Sequence, residues 1–200
     1  MLFLLLGPSG VGKGTQITLL HERHQEFVFP KSVSTRKMRP GESQGNPYFF
    51  ITDEEFDEHI SQHDFLEYAV VHRAARYGTL KAPIKASLEQ GKTVLKELDI
   101  QGLIEIQKTM SAGEADFLKG KLKSVFIMPP DEETLVERIT GRSDIKEAEL
   151  NTRLESARQE MAQADKCDFV IETSREDDVE AVYRQLGHTL RKARQEAEPA

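Results

Sequence analysis

The sequence predicts an α/β fold: a parallel sheet flanked by helices on both faces, with a small, mostly β lobe inserted in its first half. Three observations carry that prediction. Apolar segments such as Leu2–Leu6, "TVLKEL" and "LKSVFIM" read as buried strands. Stretches of helical period alternate with them, which is the rhythm of strands covered by helices. From about Ser32 to Thr79 the rhythm breaks into short aromatic strands, Pro and Gly turns and one acidic helix, "DEEFDEHI".

Taken in order, Leu2–Leu6 opens the chain as a strand. No basic residue precedes it, it is shorter than the apolar region of a secretory leader, and it runs into glycines and Lys13, so it is not expected to be a leader. A helix is expected near Lys13–Arg23. After the inserted lobe come the strands "TVLKEL" and "LKSVFIM", the helices "DEETLVERI" and "LNTRLESARQEM", the strand "CDFVIE" and a charged helix from about Asp177. The expected division is a single domain over 1–200, with a core of 1–31 and 80–200, an inserted lobe of 32–79 and a lid at about 138–155.

Composition narrows the function. With 200 residues, 38% apolar and 30% charged, there is enough chain for one substantial core. A formal charge of −7 argues against a nucleic-acid or anionic-membrane surface, so an anionic ligand must be held by local arginines and lysines. Nothing has the length of a membrane span, and the single cysteine, Cys167, cannot form an internal disulfide, which makes a reducing cytoplasm the expected home. The six histidines show no metal-binding spacing.

The stretch "LLLGPSGVGKGTQ" carries the first chemistry. Gly7 and Gly12 let the backbone wrap so that successive N–H groups point inward, the next helix offers its positive N-terminus, and Lys13 adds a mobile charge. The pattern G-x-x-x-x-G-K between a strand and a helix is a P-loop, a cradle for the β- and γ-phosphates of a nucleotide. Gly7, Pro8, Ser9, Gly10, Val11, Gly12, Lys13, Gly14 and Thr15 form it. The position after the lysine, usually Ser or Thr, is Gly14, so a hydroxyl facing a metal must come from Thr15 or Ser9, or the metal must rely on water and carboxylates.

From Ser32 the chain reads "SVSTRKMRPGESQGNPYFFI". Two arginines three apart, Arg36 and Arg39, flanked by hydroxyls and followed by Tyr48, suit one phosphate monoester, because planar guanidinium groups make paired charge-assisted bonds. Ser32, Ser34, Thr35, Arg36, Arg39, Glu42, Gly45, Tyr48 and Phe50 stand at the spacing of the guanylate kinase signature. From the P-loop to the last strand, the chain resembles that family. The resemblance implies a P-loop NTPase-type sheet, transfer of the γ-phosphoryl of ATP to GMP, and Mg2+ accompanying ATP. It implies ATP and GMP as substrates, with dGMP a second acceptor left open, and no nucleic-acid, membrane or obligate protein partner.

The resemblance also assigns roles. Glu67 and Thr79, the latter preceded by Tyr77-Gly78, match the family's guanine reader. A carboxylate accepts from guanine N1–H and N2–H while a hydroxyl donates to O6, and adenine would present a bare lone pair instead. Glu97 and Asp99 match a pair of acids at a strand end, where Asp99 is implied to hold the acceptor nucleotide and either acid to hold water on the metal. Arg142, Arg153 and Arg138 match the arginines of a lid that clamps the transferring phosphoryl group, with Arg158 left on a solvated face. Because the acceptor phosphate is already an anionic nucleophile, direct in-line transfer needs no general base. Two rival readings differ in the acceptor side and in the P-loop. A ribose 1,5-bisphosphate kinase has no use for a guanine reader, and phosphopeptide-binding modules of this fold usually carry a degraded P-loop, whereas Lys13 is intact here.

Overall fold

The structure is a computed structural model and describes residues 1–71, 75–141 and 145–197. The first half runs β1 (Leu2–Leu6), α1 (Lys13–Arg23), β2 (Phe27–Val28), β3 (Val33–Ser34), β4 (Phe49–Phe50), α2 (Asp53–Ser61), β5 (Phe65–Val71) and β6 (Ala75–Leu80). The second half runs α3 (Lys81–Glu89), β7 (Thr93–Glu97), α4 (Ile100–Ser111), β8 (Leu122–Met128), α5 (Glu132–Thr140), α6 (Glu147–Met161), β9 (Phe169–Glu172) and α7 (Val179–Ala197).

Five strands form an all-parallel sheet in the order β2-β7-β1-β8-β9. β1 lies at its centre and is buried on both faces, which is why it reads as an unbroken apolar run. Leu2, Leu4 and Leu6 pack with Ile84, Ile100, Leu103 and Ile106 on one side. Phe3 and Leu5 pack with Leu20, Leu135, Ile139 and Leu186 on the other. Each such side chain contributes roughly 1.5–3 kcal/mol through its burial. Among the described residues no helix is long and apolar enough to cross a membrane.

Two helices are additions to the expected pattern. α3 follows β6 directly, and only Leu98 and Asp99 separate β7 from α4. Asp99 is therefore the N-cap of α4 rather than a strand residue, its carboxylate accepting from Gly102 N at 2.8 Å.

A second sheet, β4-β3-β6-β5, is built from residues 33–80. Its core is small: Val33, Phe56 and Phe65, with Ile51, Ile60 and Leu80 against them. α2 closes it, started by a capping box between Thr52 and Glu55. Arg76 ties the sheet to this helix by bonding Asp53 and Asp57 while stacking 4.6 Å from the centre of the Phe56 ring. The β5–β6 ladder shifts register between Phe65 and Glu67, a bulge that sends Leu66 into the main core and sets Glu67 opposite Thr79.

Gly78 lies beneath the Phe65 ring, where a Cβ would stand 2.5 Å from Cε1. Gly78→Ala is expected to displace that ring from Phe56 and cost about 1–3 kcal/mol, read as a lower urea midpoint. An unchanged midpoint would contradict this packing.

Candidate active site

The phosphate loop is shaped by where β1 stops. Gly7 (φ +141°) follows the strand so closely that a Cβ would meet the Ile127 carbonyl oxygen at 2.6 Å. Gly12 (φ +109°) then caps α1 in a left-handed conformation with no side-chain bond, unlike α5, whose first turn is capped by Asp131. The first N–H groups of α1 thus take no side-chain partner and sit at the positive end of its dipole. Lys13 Nζ arches back over the loop, donating to Gly7 O at 2.5 Å and Pro8 O at 3.3 Å, and it stands 3.9 Å from Glu97 Oε1.

A cleft of about 590 Å³ opens outside the carboxyl ends of β1 and β7. Ser9, Gly10, Gly12, Lys13 and Gly14 line one side of it, and Ser32, Tyr48 and Tyr77 line the lobe side. Lys96, Glu97, Asp99 and Glu160 complete the wall. Burial pushes the Glu160 carboxyl up to about 7, partly offset by the Lys13 charge. Among the described residues no three acid, histidine or cysteine side chains are grouped to hold a metal. Thr15 is exposed and does not line the cleft, so of the expected metal anchors Ser9, Glu97 and Asp99 reach it.

On the lobe, Arg36 does not line the cleft but sits 5.2 Å from the centre of the Tyr48 ring. Its Nη1 and Nη2 fork onto Glu42 at 2.6 Å each, and Nη1 also donates to Lys37 O. That pairing holds the Glu42 carboxyl down to about 2, with a further bond from Arg39 N. Three of the five guanidinium donors are used, leaving Nε–H and one Nη2–H along the other edge. Arg39 itself is exposed.

Glu67 and Thr79 are both buried and face each other across the β5–β6 ladder. The Thr79 hydroxyl donates to Glu67 Oε1 rather than standing free. Neither lines the main cleft, and Glu67 also borders a cavity of about 190 Å³ on the α4 side. Burial raises the Glu67 carboxyl above its ordinary range, while the Thr79 bond and the Lys96 charge oppose that rise.

The expected phosphoryl clamp is only partly assembled. Arg138 on α5 donates from Nη1 to Val11 O at 3.0 Å, fixing it to the phosphate loop. Arg153 is not in the cleft wall: it is exposed on α6 and paired with Glu149 one turn away. Its spacing is that of a helix-surface ion pair, and the pair holds it there. Arg142 lies outside the described residues. Arg158 bridges to Glu132 on α5 and is exposed, as its surface reading implied. Two cleft residues, Lys96 and Glu160, and the Arg36 partner Glu42 were not singled out from the sequence by role. Glu42 was visible within the signature, whereas Lys96 was concealed as one charge in a buried strand.

Residues 1–193 match the family model described as guanylate kinase. The chain is 39% identical over 170 residues to a protein named guanylate kinase from Leifsonia xyli subsp. xyli, covering 85% of this chain and 63% of that protein. It therefore spans less than two thirds of that relative's length. It is 37% identical over 188 residues to the guanylate kinase of Trichodesmium erythraeum, covering 94% of this chain and 96% of that one. The crystal structure of guanylate kinase from Anaplasma phagocytophilum matches with a TM-score of 0.68 at 26% identity, over 96% of this chain and 85% of the other.

Two loop glycines should respond oppositely to a methyl group. Gly7→Ala places a Cβ against the Ile127 carbonyl in a left-handed backbone and is expected to cost at least about 2 kcal/mol. A Cβ on Gly14 meets nothing within 4 Å, so Gly14→Ala should be neutral or gain about 0.5 kcal/mol of helix stability. Thermal unfolding of the two variants checks both signs.

Proposed function

The chain belongs to the guanylate kinase family, and from that membership we propose that it transfers the γ-phosphoryl of ATP to GMP, giving ADP and GDP. The observation that supports this best is the shared cleft, which has the phosphate loop on one wall and Ser32, Tyr48 and Tyr77 on the other. A donor's terminal phosphate and an acceptor's phosphate entering from these two sides meet within that one cleft. Transfer between them is a matter of positioning and charge, with no covalent intermediate on the protein.

In this reading the ATP phosphates lie in the Gly7–Thr15 loop against the N-terminus of α1, with Lys13 on the transferring group. The GMP phosphate takes Ser32, Tyr48, Arg39 and the uncommitted edge of Arg36, which Glu42 holds in orientation. The base is read by Glu67 and Thr79, whose mutual bond must reopen so that the hydroxyl turns to guanine O6. Asp99 supports the acceptor nucleotide from the cleft wall. Arg138 reaches the donor side as it stands, whereas Arg153 needs α6 to move, and Arg142 joins it as the second arginine of the lid. We assign residues 32–79 as the acceptor lobe, 138–155 as the lid and 1–200 as one domain.

The residues present suit Mg2+ brought in with ATP. With Gly14 in place of a hydroxyl, Glu97 and Asp99 would hold the ion through water while the substrate phosphates supply its direct oxygens, an arrangement usual for this ion. When bound, it neutralises charge on the β- and γ-phosphate oxygens. A reducing cytoplasm with ATP and GMP at hand is the setting this activity fits.

The test is an ADP-release assay with Mg-ATP and each of GMP, AMP, CMP and UMP. Turnover is expected with GMP, with AMP at least about 10⁴-fold poorer in kcat/KM. Lys13→Ala should lose about 10²–10³ in kcat, and Glu67→Ala should lose most of the preference for GMP over AMP. Absence of turnover with every nucleotide would overturn the assignment in favour of a binding module or a sugar-phosphate kinase.

A further inference from the structure

Lys96 sits where a strand buried on both sides would ordinarily carry an apolar residue. It is 6% exposed, with Leu95 before it at 1%, and yet it reaches the cleft wall. Its Nζ donates to Pro30 O at 3.1 Å and to Ser32 Oγ at 2.6 Å. Burying an ammonium is costly, and where stability alone is at stake an apolar side chain of similar volume does as well or better. The charge therefore points to a task in the cleft.

The bond to Ser32 defines that task. A serine hydroxyl has one proton and two lone pairs. With the ammonium donating to the oxygen, a lone pair is committed and the proton is left to point away from Lys96. Two of the three ammonium donors are accounted for, and the third has no protein partner among the described residues.

We propose that Lys96 is a positioning residue for the acceptor phosphate, acting through Ser32, whose hydroxyl it holds as a donor to the incoming phosphate monoester. This rests on the GMP reading of the cleft. The groups around Lys96 are Glu67 on β5, Glu97 on its own strand, Lys31 ahead of β3, Asp99 at the start of α4, and Tyr48 and Tyr77 across the cleft. Burial lowers the Lys96 pKa to about 8, opposed by Glu67 and Glu97 and assisted by Lys31.

The experiment is steady-state kinetics of the full chain at about pH 7, varying GMP and ATP separately, for wild type, Lys96→Met, Ser32→Ala and the double variant. Lys96→Met should raise the GMP KM by about tenfold or more and leave the ATP KM within about twofold. Ser32→Ala should match it, and the double variant should be no worse than about twofold beyond either single change. A GMP KM within twofold of wild type, equal rises in both KM values, or multiplying effects in the double variant would overturn the proposal. Should Lys96→Met fail to fold, Lys96→Gln takes its place, with the same rise in GMP KM at a level ATP KM expected and a GMP KM within twofold of wild type overturning the proposal. Wild type inactive on GMP would sink the kinase assignment and this proposal with it, whereas active wild type with an unchanged Lys96→Met would sink only this one.

Discussion

The close approach of Gly7 to the Ile127 carbonyl pins the phosphate loop to the sheet at the point where β1 ends. β1 is held on both faces and by parallel ladders to β7 and β8, so its end cannot drift. The loop inherits that rigidity, and α1 starts from a fixed place with its N-terminal N–H groups aimed outward from the core. Arg138 fastens the same loop to α5 through Val11. The lobe-side wall is positioned from the neighbouring strand, because Lys96 on β7 carries the Ser32 hydroxyl and the Pro30 carbonyl. Both halves of the cleft are therefore referred to two adjacent strands of one sheet.

Charge in this region is organised by internal pairing. The chain is acidic overall, yet in the proposed reading the cleft receives anions, and Lys13, Arg36 and Lys96 are each held by an acid or a carbonyl beforehand. Arg36 spends one edge on Glu42 and keeps another, and Lys13 rests on loop carbonyls within reach of Glu97. Such pairing reduces the reorganisation needed when a substrate binds, which is where electrostatic preorganisation acts. Glu67 follows the same logic in reverse: a buried carboxylate is kept serviceable by Thr79 and by the Lys96 charge.

Much of this was legible in the sequence. The run Leu2–Leu6 followed by glycines specified β1, the loop and α1, and the break in rhythm from Ser32 to Thr79 marked the second sheet. What was not legible has physical causes. α4 was hidden because "DIQG" reads as the end of β7, with the N-cap role of Asp99 indistinguishable from a catalytic acid until the helix is seen. β2, β3 and β4 are two residues each, too short for any periodicity. The bulge that re-aims Glu67 toward Thr79 depends on cross-strand register, which residue spacing does not encode. Arg153 matched a lid arginine by position, but Glu149 four residues earlier supplies a local partner that competes for it.

In the proposed reading one cleft holds donor and acceptor together with their phosphates in line, and inhibition by adenosine and guanosine joined 5′ to 5′ through five phosphates probes that arrangement. This dinucleotide should compete with both ATP and GMP, and bind far more tightly than the corresponding diadenosine compound. Competition with only one substrate, or equal affinity for the two dinucleotides, would contradict it.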